Sequence, residues 1–410
     1  MKILVLNSGS SSQKACLYDF NEPLSDHPAQ PLWEGKLEWR DDDAALQVHT
    51  SRGLSYQENI PPADRSAATA HLLNELVSGK ASVLQSISEI AVAGHRIVNG
   101  GRALHQPTLV TPEVKAAIQK MAVFAPLHNR LELDGIALIE KLCGSVPQVA
   151  VFDTAFHHDL PDAAAVYPGP YDWVEQGIRK FGFHGINHQY CAQRAARILK
   201  KELTDLQLIT CHLGNGCSLA AIRSGKSIDT TMGFTPLDGL MMGTRSGAVD
   251  PGILTYLMRE KKLDGKAIDN LLNSKAGLLG ISGVSADMRE IVAAVQSGNQ
   301  RAQLAFHIFV HRLRAGIGSM LAILDGADAL IFTGGIGENS TEVRAAACAN
   351  LSFAGLALDP EKNVSAHPDQ EISLPQSKVR VLVIRAQEDW AIAKECWQLL
   401  AHPDTASSSR

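Results

Sequence analysis

At 410 residues, 45% hydrophobic and 20% charged, the chain is long enough for two domains with separate cores. Its net charge of −5 lacks the basic surplus that draws proteins to nucleic acid or an anionic membrane surface. No apolar run reaches the roughly 18 residues of a membrane span, and seven scattered cysteines without a CxxC pair exclude a disulfide framework or zinc finger and point to a reducing cytoplasm.

In chain order, Lys2–Leu6 reads as a strand rather than a signal peptide. A polar turn, Asn7-Ser-Gly-Ser-Ser-Ser-Gln-Lys14, leads to a second strand, Ala15–Tyr18. Asn21–Gln30 is polar enough for a surface loop, and Trp33–Trp39 and Ala45–Thr50 alternate as further strands of a meander. Arg65–Val77 has helical apolar spacing, and Glu89–Ala93 is a strand running into the turn Gly94-His-Arg-Ile-Val-Asn-Gly-Gly101. Thr111-Pro-Glu starts a helix, a second helix follows Pro126-Leu-His-Asn129, and Val149–Asp153 is an apolar strand ending on a carboxylate. Strands alternating with helices imply a largely parallel sheet, whose ligands sit beyond the strands' carboxyl ends.

The second half repeats this plan. Leu206–Cys211 is a strand, His212-Leu-Gly-Asn-Gly216 a glycine-rich hairpin tip, and Gly225–Thr231 a third strand. Helices are expected at Pro251–Glu260, Ala267–Asn273, Ala286–Gln296 and Ala302–Leu324, then a strand Ala329–Thr333 opening onto the turn Gly334-Gly-Ile-Gly-Glu-Asn-Ser340. Val379–Ile384 is the last strand, Asp389–Leu400 the closing helix, and Ala401–Arg410 a tail expected to be disordered. Two similar turns half a chain apart point to a duplicated fold that cradles phosphate, although ordinary hairpins would share this pattern.

Polar residues fall where strands end: Asn7, Arg96, Asp153, His184, Arg245 and Glu388. Arginine suits a phosphoryl group because its planar fork binds two oxygens and keeps its charge. The turn Thr333–Ser340 offers amides to an anion but is neither a Walker A loop nor GxGxxG. Histidines 95, 128, 157, 158, 184, 188 and 212 show no HExxH or finger spacing, so metal binding is not their simplest reading. Residue types alone permit phosphoryl transfer without naming an acceptor.

Taken together, Asn7–Lys14, Gly94-His-Arg96, Ala125-Pro-Leu-His-Asn129, Phe152-Asp-Thr-Ala-Phe-His157, Phe181-Gly-Phe-His-Gly185, His212–Gly216, Gly239–Gly247, Asp287-Met-Arg289 and Thr333–Ser340 resemble the acetate kinase family. That family of short-chain carboxylate kinases belongs to the sugar kinase/Hsp70/actin superfamily, and the similarity runs from Met1 to about Ala393. It implies an α/β fold of two duplicated ribonuclease H-like (actin-like ATPase) domains with the active site in the interdomain cleft. The expected division is 1–152 plus 390–410 and 153–389. The implied reaction is ATP + acetate ⇌ ADP + acetyl phosphate with Mg²⁺, for which Mn²⁺ can substitute, in a cytoplasmic homodimer. Sister propionate or butyrate kinases, and a non-catalytic actin- or Hsp70-type switch, are the competing readings.

The resemblance also assigns residues. Asn7 and Glu388 organise the metal; Arg96, Asp153, His184, Arg245 and His128 are catalytic; Arg96, Val98, Leu127, Phe183 and Pro236 surround the acceptor. ATP falls to Ser10, Ser12, Lys14, His212, Leu213, Gly214, Asn215, Gly216, Asp287, Met288, Arg289, Gly335, Ile336, Gly337, Glu338 and Asn339. The chain departs from the family pattern at Asn99, Arg130, Ile186-Asn187, Ala248 and Gln387-Glu-Asp389.

Overall fold

The computed structural model describes residues 1–9, 12–21, 27–39, 43–60, 64–122 and 128–401, the side chain of His128 excepted. The chain divides into two compact units, Met1–Ala155 with Gln387–Arg410, and Phe156–Ala386. Asp153 and Glu388 therefore belong to the first unit rather than the second. The expected disordered tail beyond 401 and the middle of the Asn21–Gln30 loop lie outside the described residues.

The first unit contains β1 (Lys2–Ser8), β2 (Ser12–Asp19), β3 (Trp33–Trp39), β4 (Ala44–Thr50), β5 (Ser55–Ile60), β6 (Ile90–Ile97), β7 (Thr108–Leu109) and β8 (Gln148–Phe152). They form one sheet in the order β5-β4-β3-β2-β1-β6-β8-β7. Ile3, Leu4, Val5 and Leu6 are all buried, as a central strand covered on both faces requires. The β1–β2 hairpin is tighter than expected: pairing runs to Ser8↔Gln13, so Asn7 and Lys14 stand on strands and not in the turn. Arg96 likewise lies on β6, not in a turn. The ladder continues past the apolar run through Arg96↔Val151 and Ile97↔Phe152. Strand β5 went unforeseen because it is a polar edge strand whose exposed side chains alternate with half-buried ones. Asp64 caps the helix Arg65–Asn74, and Thr111 with Pro112 at the first position starts Pro112–Met121. The closing helix Glu388–Ala401 packs on β1 and β6, where Gly94 leaves room for Ile392 and Cys396.

The second unit contains β9 (Gln207–Leu213), β10 (Cys217–Arg223), β11 (Lys226–Thr230), β12 (Ala329–Thr333), β13 (Gln370–Glu371) and β14 (Arg380–Val383). Their order is β11-β10-β9-β12-β14-β13. β9 pairs antiparallel with β10 and parallel with β12, which is parallel to β14. The run β3-β2-β1-β6-β8 in the first unit has the same order and the same senses. The chain is a duplicated α/β fold. Two local expectations change. The glycine-rich turn after β12 is itself a short helix, Gly334–Asn339. A second short helix, Gly277–Ser282, escaped the sequence because its first amides bond to a distant loop: Leu278 N–H donates to Met242 C=O at 2.9 Å and Leu279 N–H to Gly243 C=O at 3.0 Å. The long helix Gln300–Leu324 buries Ala305, Phe309, Leu313, Ile317 and Met320 in its own unit.

Candidate active site

In the first unit, the carboxyl ends of β1, β6 and β8 and the first turn of the closing helix gather polar side chains. Arg96 Nη2 donates to Asp153 Oδ2 at 2.7 Å, and Asp153 is fully buried. Burial by itself would weaken the guanidinium's hold on its proton; Asp153, then Glu388 and Glu132, outweigh it, so Arg96 stays charged. Asn7 Nδ2 donates to Glu388 Oε2 at 3.5 Å and to Asp389 Oδ1 at 3.3 Å. Lys14 Nζ pairs with Asp389 Oδ2 at 2.7 Å and with Glu34 Oε1 at 3.3 Å. Burial lifts the Glu388 carboxyl above the usual carboxylate range; Arg96 opposes this, and Asp153 and Asp389 add to it.

A buried carboxylate behind Arg96 was not foreseen. Both carboxyl oxygens of Glu132, on the helix His128–Cys143, accept the N–H of Val98, at 3.0 and 3.2 Å. Burial pushes its pKa up to about 8, against Arg96 and the Val98 N–H. The folded chain thus holds a proton that an unfolded glutamic acid releases near its ordinary 4.5. This contribution to stability is complete below about pH 4.5 and is lost as pH rises through about 8. Glu132→Gln, which cannot ionise, is expected to flatten the fall of melting temperature across that window. An unchanged slope would show that Glu132 does not carry it.

In the second unit, the β9–β10 hairpin tip is the centre. His184 sits at the start of the helix Gly185–Leu199 with a left-handed backbone, φ 57°. For a side chain larger than glycine this costs about 1–2 kcal/mol, a strain that aims the ring and that functional sites often retain. The ring stacks on His212 at 4.0 Å, 17° from parallel, and its Nδ1 lies 2.8 Å from Ser218 Oγ. A Cβ at Gly216 would sit 3.3 Å from His184 Nε2 and 3.6 Å from Arg245 Nη1. The Nε2 edge and the guanidinium thus face the same bare backbone. One at Gly214 would lie 3.9 Å from His212 Nε2 and 4.0 Å from the amide of Gly335. Arg245 is held by its Nη1 donating to Pro236 C=O at 3.1 Å. Gly243 N–H donates to Asn215 C=O at 3.1 Å, and a Cβ there would meet Ala286 C=O at 3.1 Å, so the Asp287–Arg289 segment abuts the same turn.

The glycine-rich helix after β12 is fixed from below. Glu338 Oε1 accepts the N–H groups of Gly334 at 3.0 Å and Ala386 at 2.9 Å. Arg344, only 2% exposed, donates to Gly337 C=O at 3.0 Å, Glu338 C=O at 2.7 Å and Asn363 Oδ1 at 2.8 Å. N–H donors and one arginine around glycine backbone make this half suited to an anion with several oxygens.

The sequence model of the acetokinase family matches residues 2–394. The chain belongs to the acetokinase family. It is 56% identical over 403 residues to an acetate kinase of Nostoc sp. strain PCC 7120, which covers 98% of this chain and 100% of that protein. A Gloeobacter violaceus acetate kinase is also 56% identical, again over 98% of this chain and 100% of its own. Among solved structures, an acetate kinase of Porphyromonas gingivalis superposes with a TM-score of 0.88 at 39% identity, covering 97% of this chain and 99% of its own. A propionate kinase of Francisella tularensis gives 0.88 at 37% identity, covering 96% and 98%.

Of the positions matching acetokinase motifs, Asn7, Lys14, Arg96, Asp153 and Glu388 meet in the first unit, with Val98 beside Arg96 and Ser12 opening β2. His184, His212, Gly214, Asn215, Gly216, Arg245 and Gly335 meet in the second. Leu213 and Met288 are core side chains, 0% and 3% exposed, so only their backbone can meet a nucleotide. Phe183 is also buried, whereas Arg289 is exposed and paired with Asp287 at 2.5 Å. Ser10, Leu127 and the His128 side chain lie outside the described residues. Sequence reasoning missed Glu132 and Ser218, and named Asp389, Asn187 and His188 without giving them a role. His188 alone carried a signal, standing four residues after His184 and so on the same helix face.

Two acetokinase departures have visible roles. Asn187 Nδ2 donates to His212 Nδ1 at 2.8 Å and to Thr333 Oγ1 at 3.3 Å. Asn99 Oδ1 accepts the Gly101 N–H at 2.8 Å, and Asn129 Nδ2 donates to Asn99 C=O at 3.2 Å. The first unit's donor set also fits Mg²⁺. Among the described residues no three His, Cys, Asp or Glu gather as a metal site. The hard oxygens of Asn7 and Glu388, crowded by Asp153 and Asp389, suit a cation that takes one or two protein ligands and fills the rest with water and phosphate.

Proposed function

We propose that the chain is an acetate kinase, catalysing reversible Mg²⁺-dependent transfer of the γ-phosphoryl group of ATP to acetate. The observation carrying this reading is that His184 Nε2 and Arg245 Nη1 face one glycine, Gly216, in a family member 56% identical to acetate kinases over 98% of its length. Acetate is already an oxyanion, so it needs no general base. A carboxylate oxygen attacks phosphorus in line, the bond to the ADP oxygen breaks, and the electron pair leaves with ADP. The protein's task is to align the reactants and to neutralise charge spreading over the phosphoryl oxygens. Arg245, held by Pro236 C=O, and the N–H of His184 meet that charge. Arg96, kept cationic by Asp153, binds the carboxylate. The amides of Gly216 and Gly335 hold ATP phosphates, in a turn closed by the Gly214 N–H donating to Gly216 C=O at 2.9 Å. Asn7 and Glu388 would hold Mg²⁺, which when bound screens the charge of the nucleotide phosphates.

The deciding assay is hydroxamate trapping of acyl phosphate from ATP with acetate, propionate or butyrate, with and without Mg²⁺. Acetate is expected to give the highest kcat/KM, and activity to vanish without the metal. Failure with every acid would refute a carboxylate kinase, and a propionate preference would favour the function named for the Francisella relative. Val98, 4% exposed beside Arg96, limits acceptor length in this reading. Val98→Ala is expected to raise the propionate-to-acetate ratio of kcat/KM by about 10-fold or more, within the ~10–200-fold that one methylene commands. An unchanged ratio removes Val98 from the acceptor site.

We also infer a cytoplasmic homodimer. All seven cysteines are free thiols, six of them buried, as a reducing compartment allows. Ile253, Tyr256 and Met258 are 48%, 47% and 50% exposed on the helix Pro251–Glu260, which buries none of its residues in the monomer. Sedimentation should give twice the 44.1 kDa chain mass.

A further inference from the structure

Behind His184 runs a closed chain of hydrogen bonds. Its Nδ1 lies 2.8 Å from Ser218 Oγ, which lies 2.7 Å from His188 Nε2. His188 Nδ1 then lies 2.6 Å from Thr210 Oγ1. Ser218, His188 and Thr210 are all 0% exposed, so no solvent enters. Burial, then His157 and His212, pushes the His188 pKa well below its usual value, so that ring carries one N–H.

Each hydroxyl has one proton and His188 one N–H. Were Ser218 to accept from both rings, its own proton would find no acceptor among the described residues and would be stranded at a cost. With Ser218 donating into the chain, it can point in only two directions. In one, His184 Nδ1–H donates to Ser218, Ser218 to His188 Nε2, and His188 Nδ1–H to Thr210. The Thr210 hydroxyl proton then has no acceptor, since among the described residues its oxygen's sole hydrogen-bond partner is His188. A buried donor so stranded costs about 1–3 kcal/mol. In the other, Thr210 donates to His188 Nδ1, His188 Nε2–H to Ser218, and Ser218 to His184 Nδ1. Every proton then has an acceptor. His184 is left with its only ring proton on Nε2, the edge that faces Gly216 and Arg245.

We propose that Thr210, through His188 and Ser218, fixes His184 as the tautomer protonated on Nε2, making these three positioning residues for phosphoryl transfer. The inference rests on the reading of His184 as a donor to the phosphoryl group. Phosphoryl oxygens only accept, so a bare Nε2 would present a lone pair to developing negative charge; the relay removes that state before substrate binds. The neighbouring ring is set in the same way: Phe183 C=O can only accept, so His157 Nε2 donates to it at 3.1 Å and His157 Nδ1 accepts from Ser227 at 2.7 Å.

The test is long-range ¹H–¹⁵N correlation on protein labelled at histidine, with the His184 signals identified by their loss in His184→Gln. Wild type is expected to carry the His184 proton on Nε2. Thr210→Val, of similar shape but without the hydroxyl, should shift the ring toward protonation on Nδ1. It should lower kcat by about 10-fold or more, the range typical when a histidine loses its orienting partner, with KM for ATP and acetate unchanged. Thr210→Ser should restore both tautomer and kcat. A wild-type His184 protonated on Nδ1 alone would overturn the proposal, as would a Thr210→Val protein with wild-type tautomer and turnover. The spectrum needs no substrate, so a protein with the expected tautomer but no kinase activity would refute the proposed function and leave the relay standing.

Discussion

Arg245→Ala is expected to lower turnover by about 10³-fold while leaving the fold intact. A guanidinium supplied to a phosphoryl-transfer transition state is worth about 10³-fold or more, and here it shares the Gly216 face with His184 Nε2. The fold should survive because main-chain groups hold the Arg245 loop. Met242 N–H donates to Arg245 C=O at 3.1 Å, and Ala276 N–H to Thr244 C=O at 3.0 Å. The side chain itself donates to Pro236 C=O at 3.1 Å and to Met242 Sδ at 3.9 Å. Arg245→Lys should recover little, because an ammonium cannot present the planar fork. The check is kcat for acetyl phosphate formation beside a melting curve. Turnover near wild type in Arg245→Ala would end the assignment.

Gly277→Ala should be among the most damaging single-methyl changes in the chain. Its φ is +62°, and an added Cβ would lie 2.3 Å from Met242 C=O oxygen, 2.8 Å from that of Arg245 and 2.9 Å from that of Gly243. All three are backbone atoms of the loop carrying Arg245, so relief requires moving that loop or the helix Gly277–Ser282. Overpacking added to a disfavoured backbone conformation costs on the order of 2–4 kcal/mol. Chemical denaturation should show that loss. Turnover should fall too, since Arg245 moves with its carbonyl. A wild-type denaturation midpoint would mean that the loop yields at no cost, and that the clamp is not what positions Arg245.

Much of the architecture was written locally. Apolar runs of five or six residues, such as Ala329–Thr333, could only be buried strands, and Thr111-Pro112 marks a helix start by cap chemistry alone. The glycine turn 214–216 and the strand-end polar residues were legible for the same reason: their types are poor choices for a core or a plain solvated face. The family motifs then supplied roles that residue types could not.

Other features depended on partners far away in sequence. Strand β6 runs through Arg96 only because β8 offers Val151 and Phe152 to pair with. Gly277–Ser282 is helical because carbonyls of residues 242 and 243 receive its amides. Glu132 looks like an ordinary helix-surface glutamate until folding buries it against the Val98 N–H. By itself the sequence determined the strand and helix framework, its duplication and which residues could carry phosphoryl transfer, because propensity, periodicity and capping act over a few residues. Only the tertiary structure decided which buried groups become partners. It made Asp389 the shared partner of Asn7 and Lys14, and Thr210, on a strand 26 positions away, the far end of the chain that sets the proton on His184. Burial is what makes such pairs binding: with water excluded, each polar group must find its partner within the fold.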